Sequence, residues 1–342
     1  MGKLAIIGLG LIGGSLGLAI KRAAPVNTEV VGYDREVDVG LQALKHGAIN
    51  HLAASLDKAV EDATLVIVAT PILNVRRVFE EMAPSLRRGT IVTDTASTKG
   101  QVLRWADEIL PRDVHFVGGH PMAGKEQAGP AAAEESLFDG RPYVIVPSVL
   151  AAPHAVNAVI GLAEAVGAKP FFQDADEHDA YAAAISHLPL VASLGMFNLA
   201  RTSAAWPELA AMSGPAFRDL TRLASGEPTM SHDIFMTNKT NVLHWLERYM
   251  VELQRLADLI ETADAETLFR SLAETQLERE TFIMTPPVRE DGPPAVDMPS
   301  PVESLMGTLA GQLWQSRVKE MTDVLEERQR DRTREERLRR LD

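Results

Sequence analysis

The chain has 342 residues, more than one average domain, and its 46% hydrophobic and 24% charged residues are typical of globular proteins with sizeable cores. Its net charge of −13 argues against a nucleic-acid-binding surface, because phosphate binding requires clustered Lys and Arg. Since cysteine is absent, disulfides, thiolate metal sites and cysteine nucleophiles are excluded, and we predict no metal site.

The N-terminal residues run directly into a strand pattern, without the cleavage region of a signal peptide. No uninterrupted apolar run in the sequence reaches the length of a membrane span. We therefore expect a cytoplasmic protein with no membrane partner.

Short apolar runs alternate with helical patterns through the first half of the chain. Such runs are typical of strands buried on both faces, and their alternation with helices indicates a parallel sheet covered on both sides. The predicted strands span residues 4–7, 29–33, 65–69, 90–93, 115–117 and 143–146, with helical patterns between them at, for example, 75–86 and 99–109. We therefore predict a Rossmann-type α/β domain with a doubly wound parallel sheet over residues 1–172.

The character of the sequence changes after residue 172, where Ala- and Leu-rich helical patterns follow one another with few strand candidates. We predict an all-α domain over residues 173–285. Residues 286–301 contain six prolines among Gly, Asp and Ser, which is typical of an extended linker. Residues 302–342 end in a dense run of Arg and Glu, and we expect a charged tail that is helical or partly disordered.

A glycine loop follows the first predicted strand. Gly8, Gly10 and Gly13 match the G-x-G-x-x-G pattern, with Leu11 and Ile12 between the second and third glycines. The first glycine allows a tight turn, the second lets the backbone approach a pyrophosphate, and the third allows close packing of helix on strand. The N-terminus of the following helix favours anions. The pattern, in this context, predicts a dinucleotide-binding loop.

Asp34 ends the second predicted strand. A carboxylate at this place accepts hydrogen bonds from the adenosine ribose hydroxyls and repels a 2′-phosphate, which favours NAD over NADP. The neighbouring Arg35 keeps NADP open as the alternative, because a guanidinium could hold that phosphate. Thr70 and Pro71 end another strand at the same edge of the sheet, and we expect them beside the cofactor, although a helix-starting proline would also explain Pro71.

Four later segments carry candidate chemistry, since a glycine loop predicts a cofactor and says nothing of the substrate. They bring hydroxyl, imidazole and guanidinium groups to strand ends or to the helical domain. The segments are residues 93–100 (TDTASTKG), 118–124 (GGHPMAG), 185–189 (ISHLP) and 217–222 (FRDLTR). Together with the opening GLGLIGGSL, they resemble the prephenate/arogenate dehydrogenase family in type and order, over roughly residues 3–280.

The resemblance implies an NAD(P)-dependent oxidative decarboxylation of a cyclohexadienol, which yields an aromatic phenol. It also implies a nucleotide-binding domain followed by a helical domain that forms a homodimer. We expect prephenate as the substrate, 4-hydroxyphenylpyruvate as the product in tyrosine biosynthesis, and NAD as the cofactor.

The resemblance further assigns roles to individual residues. His120 matches the family's catalytic histidine, and an imidazole suits the general base that takes the proton of the ring hydroxyl as a carbonyl develops. Ser97 matches the serine near that hydroxyl, where it could orient His120, or it caps a helix. Arg222 matches the arginine that grips a substrate carboxylate, which suits a planar guanidinium. Arg218 is an assisting candidate, with an ordinary surface arginine as the alternative.

Three further positions bear on the substrate. Glu126 matches an acidic residue at the entrance of the family's site, while its neighbour Lys125 stands where a small hydroxyl residue is expected. His187 is a substrate-binding candidate in the helical domain, with a buried supporting role as the alternative. Leu190 stands where many prephenate-specific members have a second histidine, and this departure keeps arogenate open as the substrate.

Two other functions remain open from the residues. A 3-hydroxyacid dehydrogenase of the 6-phosphogluconate type also pairs a glycine loop with a helical domain, but it relies on a Lys followed four residues later by Asn. Here Lys239 is followed by Asn241, which is off that spacing. A non-catalytic NAD-sensing protein would keep the fold without the chemistry, and the joint presence of His120, Ser97 and Arg222 argues against it.

Overall fold

A computed structural model describes residues 2–23 and 28–287 of the chain. These residues cover both predicted domains, apart from residue 1 and residues 24–27. The predicted charged tail, and all but the first two residues of the predicted linker, lie outside the described residues.

The first part of the described chain forms one eight-stranded sheet with the strand order β3-β2-β1-β4-β5-β6-β7-β8. The strands are β1 (Lys3–Ile7), β2 (Glu29–Tyr33), β3 (His51–Leu52), β4 (Ala63–Val68), β5 (Ile91–Asp94), β6 (His115–Pro121), β7 (Pro142–Pro147) and β8 (Lys169–Phe172). The chain runs outward from β1 first to one side and then to the other, so the carboxyl ends of β1 and β4 meet at the point where the strand order reverses. Ligands of doubly wound sheets bind at this edge.

Helices cover both faces of this sheet, as predicted. They are α1 (Leu11–Ala23), α2 (Val37–Lys45), α3 (Leu56–Val60), α4 (Ile72–Met82), α5 (Gly100–Ile109) and α6 (Pro153–Ala165). Successive residues of β1 enter opposite cores: Leu4 and Ile6 pack in a cluster with α1 and α6, whereas Ala5 and Ile7 pack with α4 and α5. The predicted doubly wound fold is therefore confirmed.

One strand pairing departs from the predicted parallel sheet. Among the described strands, all neighbours are parallel except β6 and β7, which are antiparallel, with His120 opposite Val144. The physical reason lies in residues 122–141, which contain only the 3₁₀ turn Pro130–Ala132. A parallel crossover needs a longer covering element, usually a helix, so the chain returns in the opposite direction.

The two edge strands were not predicted. The strand β3 is only two residues long. The strand β8 has the sequence KPFF, and its Pro170 is tolerated because edge strands leave some N–H positions unpaired.

The remaining described residues are helical, as predicted. They form α7 (Ala175–Ala182), a π-helical turn (Ala183–His187), α8 (Leu188–Arg201), α9 (Trp206–Ala211), α10 (Pro215–Thr221), α11 (Pro228–Thr237), α12 (Lys239–Thr262) and α13 (Ala265–Met284). The first of these helices begins after Asp174, whose side chain accepts a hydrogen bond from the Glu177 N–H at 2.8 Å, a standard helix cap.

Among the described residues, the run Ala175–Arg201 has the length and the mean hydropathy, 1.4, of a membrane span. The sequence expectation missed it because polar residues such as His187 and Asn198 interrupt its apolar pattern. Three polar side chains of the run, His178, Asp179 and His187, are buried. Only 28% of its membrane-length window is buried, and one such helix is weak evidence for a membrane span.

Candidate active site

The glycine loop joins β1 to α1 through very close backbone contacts. Gly8 has φ +93°, and a Cβ there would lie 2.6 Å from the Ala69 carbonyl oxygen. A Cβ at Gly13 would lie 1.9 Å from the Gly8 carbonyl oxygen. A Cβ at Gly10, in contrast, would meet no protein atom within 4 Å. The first and third glycines are therefore required by the fold, and the second leaves open space for a ligand.

A cavity of about 290 Å³ lies beside this loop, at the carboxyl ends of β1, β2 and β4. Of the nine predicted cofactor residues, six line it: Gly8, Gly10, Asp34, Arg35, Thr70 and Pro71. The other three, Leu11, Ile12 and Gly13, form the first turn of α1. This turn contains no acidic residue, so its open N–H groups and helix dipole suit a phosphate.

The acidic end of the cavity is built around Asp34. Its Oδ2 accepts a hydrogen bond from the Leu9 N–H at 2.8 Å, and its Oδ1 accepts one from the Glu36 N–H at 2.9 Å. The neighbouring Arg35 is exposed and donates to Glu36 Oε1 at 3.2 Å. The fixed carboxylate favours ribose hydroxyls over a 2′-phosphate. Thr70 Oγ1 is buried without a hydrogen-bond partner among the described residues, and so is available to a ligand.

His120 lies near the end of β6, only 7% exposed. Its Nδ1 is 2.8 Å from Nε2 of His178 on α7. The Nδ1 of His178 is in turn 2.9 Å from Oδ1 of Asp179. The two domains thus meet in a chain of three hydrogen-bonding side chains that ends on the predicted catalytic base.

The carboxylate of Asp179 is fixed at the start of α5. Its Oδ1 accepts the Lys99 N–H at 2.7 Å and its Oδ2 accepts the Gly100 N–H at 2.9 Å. Burial alone would raise the pKa of Asp179, but the hydrogen bond from His178 and these backbone amides hold it below its ordinary value. Asp179 is therefore ionised and can only accept hydrogen bonds.

This ionised carboxylate determines the tautomers of both histidines. Since Asp179 only accepts, Nδ1 of His178 must carry a proton, and Nε2 of the neutral ring is an acceptor. His120 Nδ1 must then donate to it. The remaining nitrogen of His120, Nε2, is left without a proton and with its lone pair available. A neutral imidazole in this state is a general base.

The same environment keeps the histidines neutral. Burial lowers the pKa of His120 well below its ordinary value of 6.5, and the neighbouring His178, Lys99 and His187 lower it further. Burial also lowers the pKa of His178, although the hydrogen bond to Asp179 opposes the change. Near neutral pH His120 is therefore neutral, which is the form in which an imidazole can accept a proton.

A buried ion pair joins the end of β5 to the loop that follows it. Lys99 Nζ and Asp94 Oδ2 are in contact, and both side chains have no exposed surface. The Asp94 carboxylate also accepts hydrogen bonds from the Ala96 N–H at 2.8 Å and from the Gly119 N–H at 3.1 Å. Because Gly119 directly precedes His120, the Asp94 carboxylate helps to fix the backbone position of His120.

Ser97 and His187 occupy the neighbourhood in different ways. Ser97 is half-buried in the loop between β5 and α5. Its predicted role in orienting His120 stays a prediction, because the Nδ1 position of that ring is taken by His178. His187 is fully buried, with Nδ1 3.2 Å from Asn238 Nδ2, and burial lowers its pKa to about 4. This burial favours a supporting role for His187 over direct contact with a substrate.

The predicted carboxylate-binding group, Arg222, lies at the protein surface, with 58% of its side chain exposed. Arg222 begins a 3₁₀ turn after α10, and its guanidinium forms an ion pair with Glu126, from the loop after β6. The structure thus brings these two predicted residues together. Arg218 is exposed on α10. Lys125 pairs with Glu134.

Sequence reasoning missed His178 and Asp179. The signal that could have found them is a His-Asp pair near the start of a long, otherwise apolar helical run. A buried titratable pair in such a run needs a partner elsewhere, and the predicted catalytic histidine was the obvious candidate.

Comparisons with known proteins identify the family of this chain. A family model described as the prephenate dehydrogenase nucleotide-binding domain matches residues 16–171, and one described as the prephenate dehydrogenase dimerization domain matches residues 174–274. Prephenate dehydrogenase of Bacillus subtilis is 36% identical over 267 residues, covering 78% of this chain and 72% of that protein. Cyclohexadienyl dehydrogenase of Zymomonas mobilis is 31% identical over 279 residues, covering 81% and 94%.

Solved structures give the same result. The Aquifex aeolicus prephenate dehydrogenase in complex with hydroxyphenyl propionate and NAD+ is similar with a TM-score of 0.76 and 27% identity, covering 82% of this chain and 98% of that one. The Synechocystis arogenate dehydrogenase is similar with a TM-score of 0.69 and 28% identity, covering 82% and 99%. The chain belongs to the prephenate dehydrogenase family and is an NAD-dependent oxidoreductase.

Proposed function

We propose that the protein catalyses the NAD+-dependent oxidative decarboxylation of prephenate to 4-hydroxyphenylpyruvate in tyrosine biosynthesis. The observation that carries this proposal is the hydrogen-bonded chain from Asp179 through His178 to His120. It leaves Nε2 of His120, a residue only 7% exposed, free to accept a proton from a substrate hydroxyl. The relatives named as prephenate dehydrogenases support the choice of substrate.

In the proposed mechanism His120 takes the proton of the ring hydroxyl through Nε2. The ring carbon that bears this hydroxyl would give up a hydride as the carbonyl develops, and NAD+, held beside Gly10 and Asp34, would supply the hydride acceptor. The cation that forms on His120 is stabilised through its Nδ1–H bond to His178, which Asp179 supports in turn. Loss of CO₂ then restores an aromatic ring, which makes the reaction effectively irreversible.

Arg222 is the proposed group for a substrate carboxylate. Its guanidinium is 58% exposed and is paired with a single carboxylate, Glu126. A substrate carboxylate can therefore reach it from the cleft and form the two parallel hydrogen bonds that a guanidinium offers. Glu126 then acts as the group that holds Arg222 in place before the substrate arrives.

Arogenate is the alternative substrate. It carries an ammonium group where the side chain of prephenate carries a keto group. The enzyme's preference between the two therefore depends on the residues that surround this side chain of the substrate. Leu190 is 6% exposed on α8 and offers no hydrogen bond, which fits either substrate. Relatives named for prephenate, arogenate and cyclohexadienyl substrates are all similar to this chain. The 6-phosphogluconate-type alternative is disfavoured, since Asn241 is two residues after Lys239 and not four, and the matched family models are those of prephenate dehydrogenase.

We also propose a homodimer formed through the helical domain. Large apolar side chains of this domain are between 71% and 84% exposed in the single chain: Leu199, Met212, Val251, Phe269 and Met284. Soluble proteins rarely expose so many apolar groups without a partner. The match to the dimerization-domain model over residues 174–274 supports a second copy as that partner, and the cytoplasm remains the proposed location.

The direct test is a steady-state assay that combines prephenate or arogenate with NAD+ or NADP+. We expect the highest kcat/KM with prephenate and NAD+, because the relatives named as prephenate dehydrogenases support that substrate and Asp34 disfavours a 2′-phosphate. A clear preference for arogenate would change the proposed substrate but not the proposed mechanism. Absence of turnover with both substrates would contradict the proposed function and favour a non-catalytic NAD-binding role.

The pH dependence of kcat/KM tests the protonation state of the base. His120 must be neutral to accept the proton, so activity is lost as pH falls through its pKa and is retained above it. Since that pKa lies well below 6.5, we expect a constant kcat/KM from about pH 6.5 upward and an acid limb below this value. An acid limb centred above pH 6.5 would contradict the assignment.

Replacement of the base tests its role separately from cofactor binding. His120→Asn keeps a polar side chain on β6 but cannot accept the proton, so kcat should fall by about 100-fold or more. NAD+ affinity, measured by calorimetry without substrate, should stay unchanged, because the cofactor cavity is lined by other residues. Turnover near the wild-type rate would show that another group is the base.

A further inference from the structure

A carboxylate of the helical domain reaches into the nucleotide-binding domain. Asp233 lies on α11 and is only 2% exposed. Its Oδ2 accepts a hydrogen bond from the backbone N–H of Leu73, 160 residues away, at 3.0 Å. Its Oδ1 is 3.0 Å from Nδ1 of the neighbouring His232. Both carboxylate oxygens are therefore engaged, and one of them joins the domains.

The bond ends on the first turn of α4, which lacks a cap of its own. The N-cap residue of α4 is Pro71, and the helix has no side-chain cap hydrogen bond from that residue. The first N–H groups of a helix have no intrahelical partner, and the helix dipole favours a negative charge there. Asp233 supplies both the missing acceptor and the charge from another domain.

The turn that Asp233 holds is a wall of the cofactor cavity. Thr70, Pro71 and Asn74 line the cavity on both sides of Leu73 in the sequence. The Oγ1 atom of Thr70 is buried without a partner among the described residues. The position of this wall decides where these groups meet a bound cofactor.

The helix that carries Asp233 is itself anchored at several points. Ile234 is 3% exposed and packs in the same core cluster as Ile72 of α4. Thr237, at the end of α11, places Oγ1 2.8 Å from Oγ1 of Thr98 in the loop after β5. The fixed helix therefore gives the Asp233 carboxylate a defined place.

We propose that Asp233 is a positioning residue for the cofactor site, which caps α4 from the helical domain and thereby sets the wall formed by Thr70, Pro71 and Asn74. The proposal rests on the assignment of this cavity to NAD+, and it does not depend on which substrate the enzyme uses. Asp233 itself is not proposed to contact the cofactor or the substrate. It acts through the first turn of α4.

The test compares three variants by calorimetric titration with NAD+ alone. Asp233→Ala removes the cap, and we expect the dissociation constant for NAD+ to rise about tenfold, the effect of one lost charge-assisted hydrogen bond. Asp233→Asn keeps an amide oxygen that can accept from Leu73 N–H, so its dissociation constant should stay within about threefold of wild type. Asp107→Ala removes an exposed carboxylate on α5 and is the matched control, expected to bind like wild type.

Two further measurements separate positioning from simple loss of stability. Each variant is checked for folding by circular dichroism, and Asp233→Ser, whose hydroxyl is too short to reach the Leu73 amide, replaces the alanine variant if that fails to fold. In steady state, KM for NAD+ should rise while KM for prephenate changes little. Unchanged NAD+ affinity of a folded alanine or serine variant would overturn the proposal, as would an asparagine variant impaired as strongly as alanine.

Failure of the proposal for Asp233 can be distinguished from failure of the proposed reaction. If the wild type binds NAD+ but turns over neither prephenate nor arogenate, the proposed function fails while the binding comparison still decides the role of Asp233. If the wild type does not bind NAD+, the assignment of the cavity fails and the proposal fails with it.

Discussion

The carboxylate of Asp179 is the point on which the arrangement of the site depends. It accepts the backbone amides of Lys99 and Gly100 at the start of α5, and it accepts a hydrogen bond from His178. The amides keep it ionised, and an ionised carboxylate leaves a single tautomer for each of the two histidines in the chain. Without this bond, Nε2 of His120 could carry the ring proton, and only the tautomer with an unprotonated Nε2 can accept a proton there. A bond between the domains thus defines the chemistry at their interface.

The same interface supports the cofactor side of the cleft. Three polar groups from α11 and its C-cap reach different parts of the nucleotide-binding domain or of α7: Asp233 holds Leu73, Thr237 pairs with Thr98, and Asn238 donates to the Asp179 carbonyl at 2.7 Å. Hydride transfer requires the cofactor and the substrate to be held within a narrow range of positions. Because α11 contacts both the first turn of α4, beside the cofactor cavity, and the loop between β5 and α5, it can help to hold these two parts of the site in fixed positions.

The parts of this protein that sequence reasoning predicted are those with local causes. The glycine loop is recognisable because a Cβ at Gly8 or Gly13 would collide with neighbouring backbone, and alternating strands and helices follow from periodicity. The strand β7 was predicted, but its antiparallel direction was missed, because that direction depends on the length and content of the connection between β6 and β7. His178, Asp179 and Asp233 were missed because each acts on a group 58 or more residues away, so the local sequence around each residue does not identify its partner.

The central claim is that His178 donates to Asp179 and accepts from His120, and it is tested most directly by comparing kcat for His178→Gln and His178→Leu. A glutamine amide can reproduce this polarity, with its NH₂ group on Asp179 and its oxygen on His120 Nδ1, whereas leucine can make neither bond. We predict that the leucine variant loses about 100-fold or more in kcat and that the glutamine variant recovers much of the loss, with NAD+ affinity unchanged in both. Equal activity of the two variants would contradict the account.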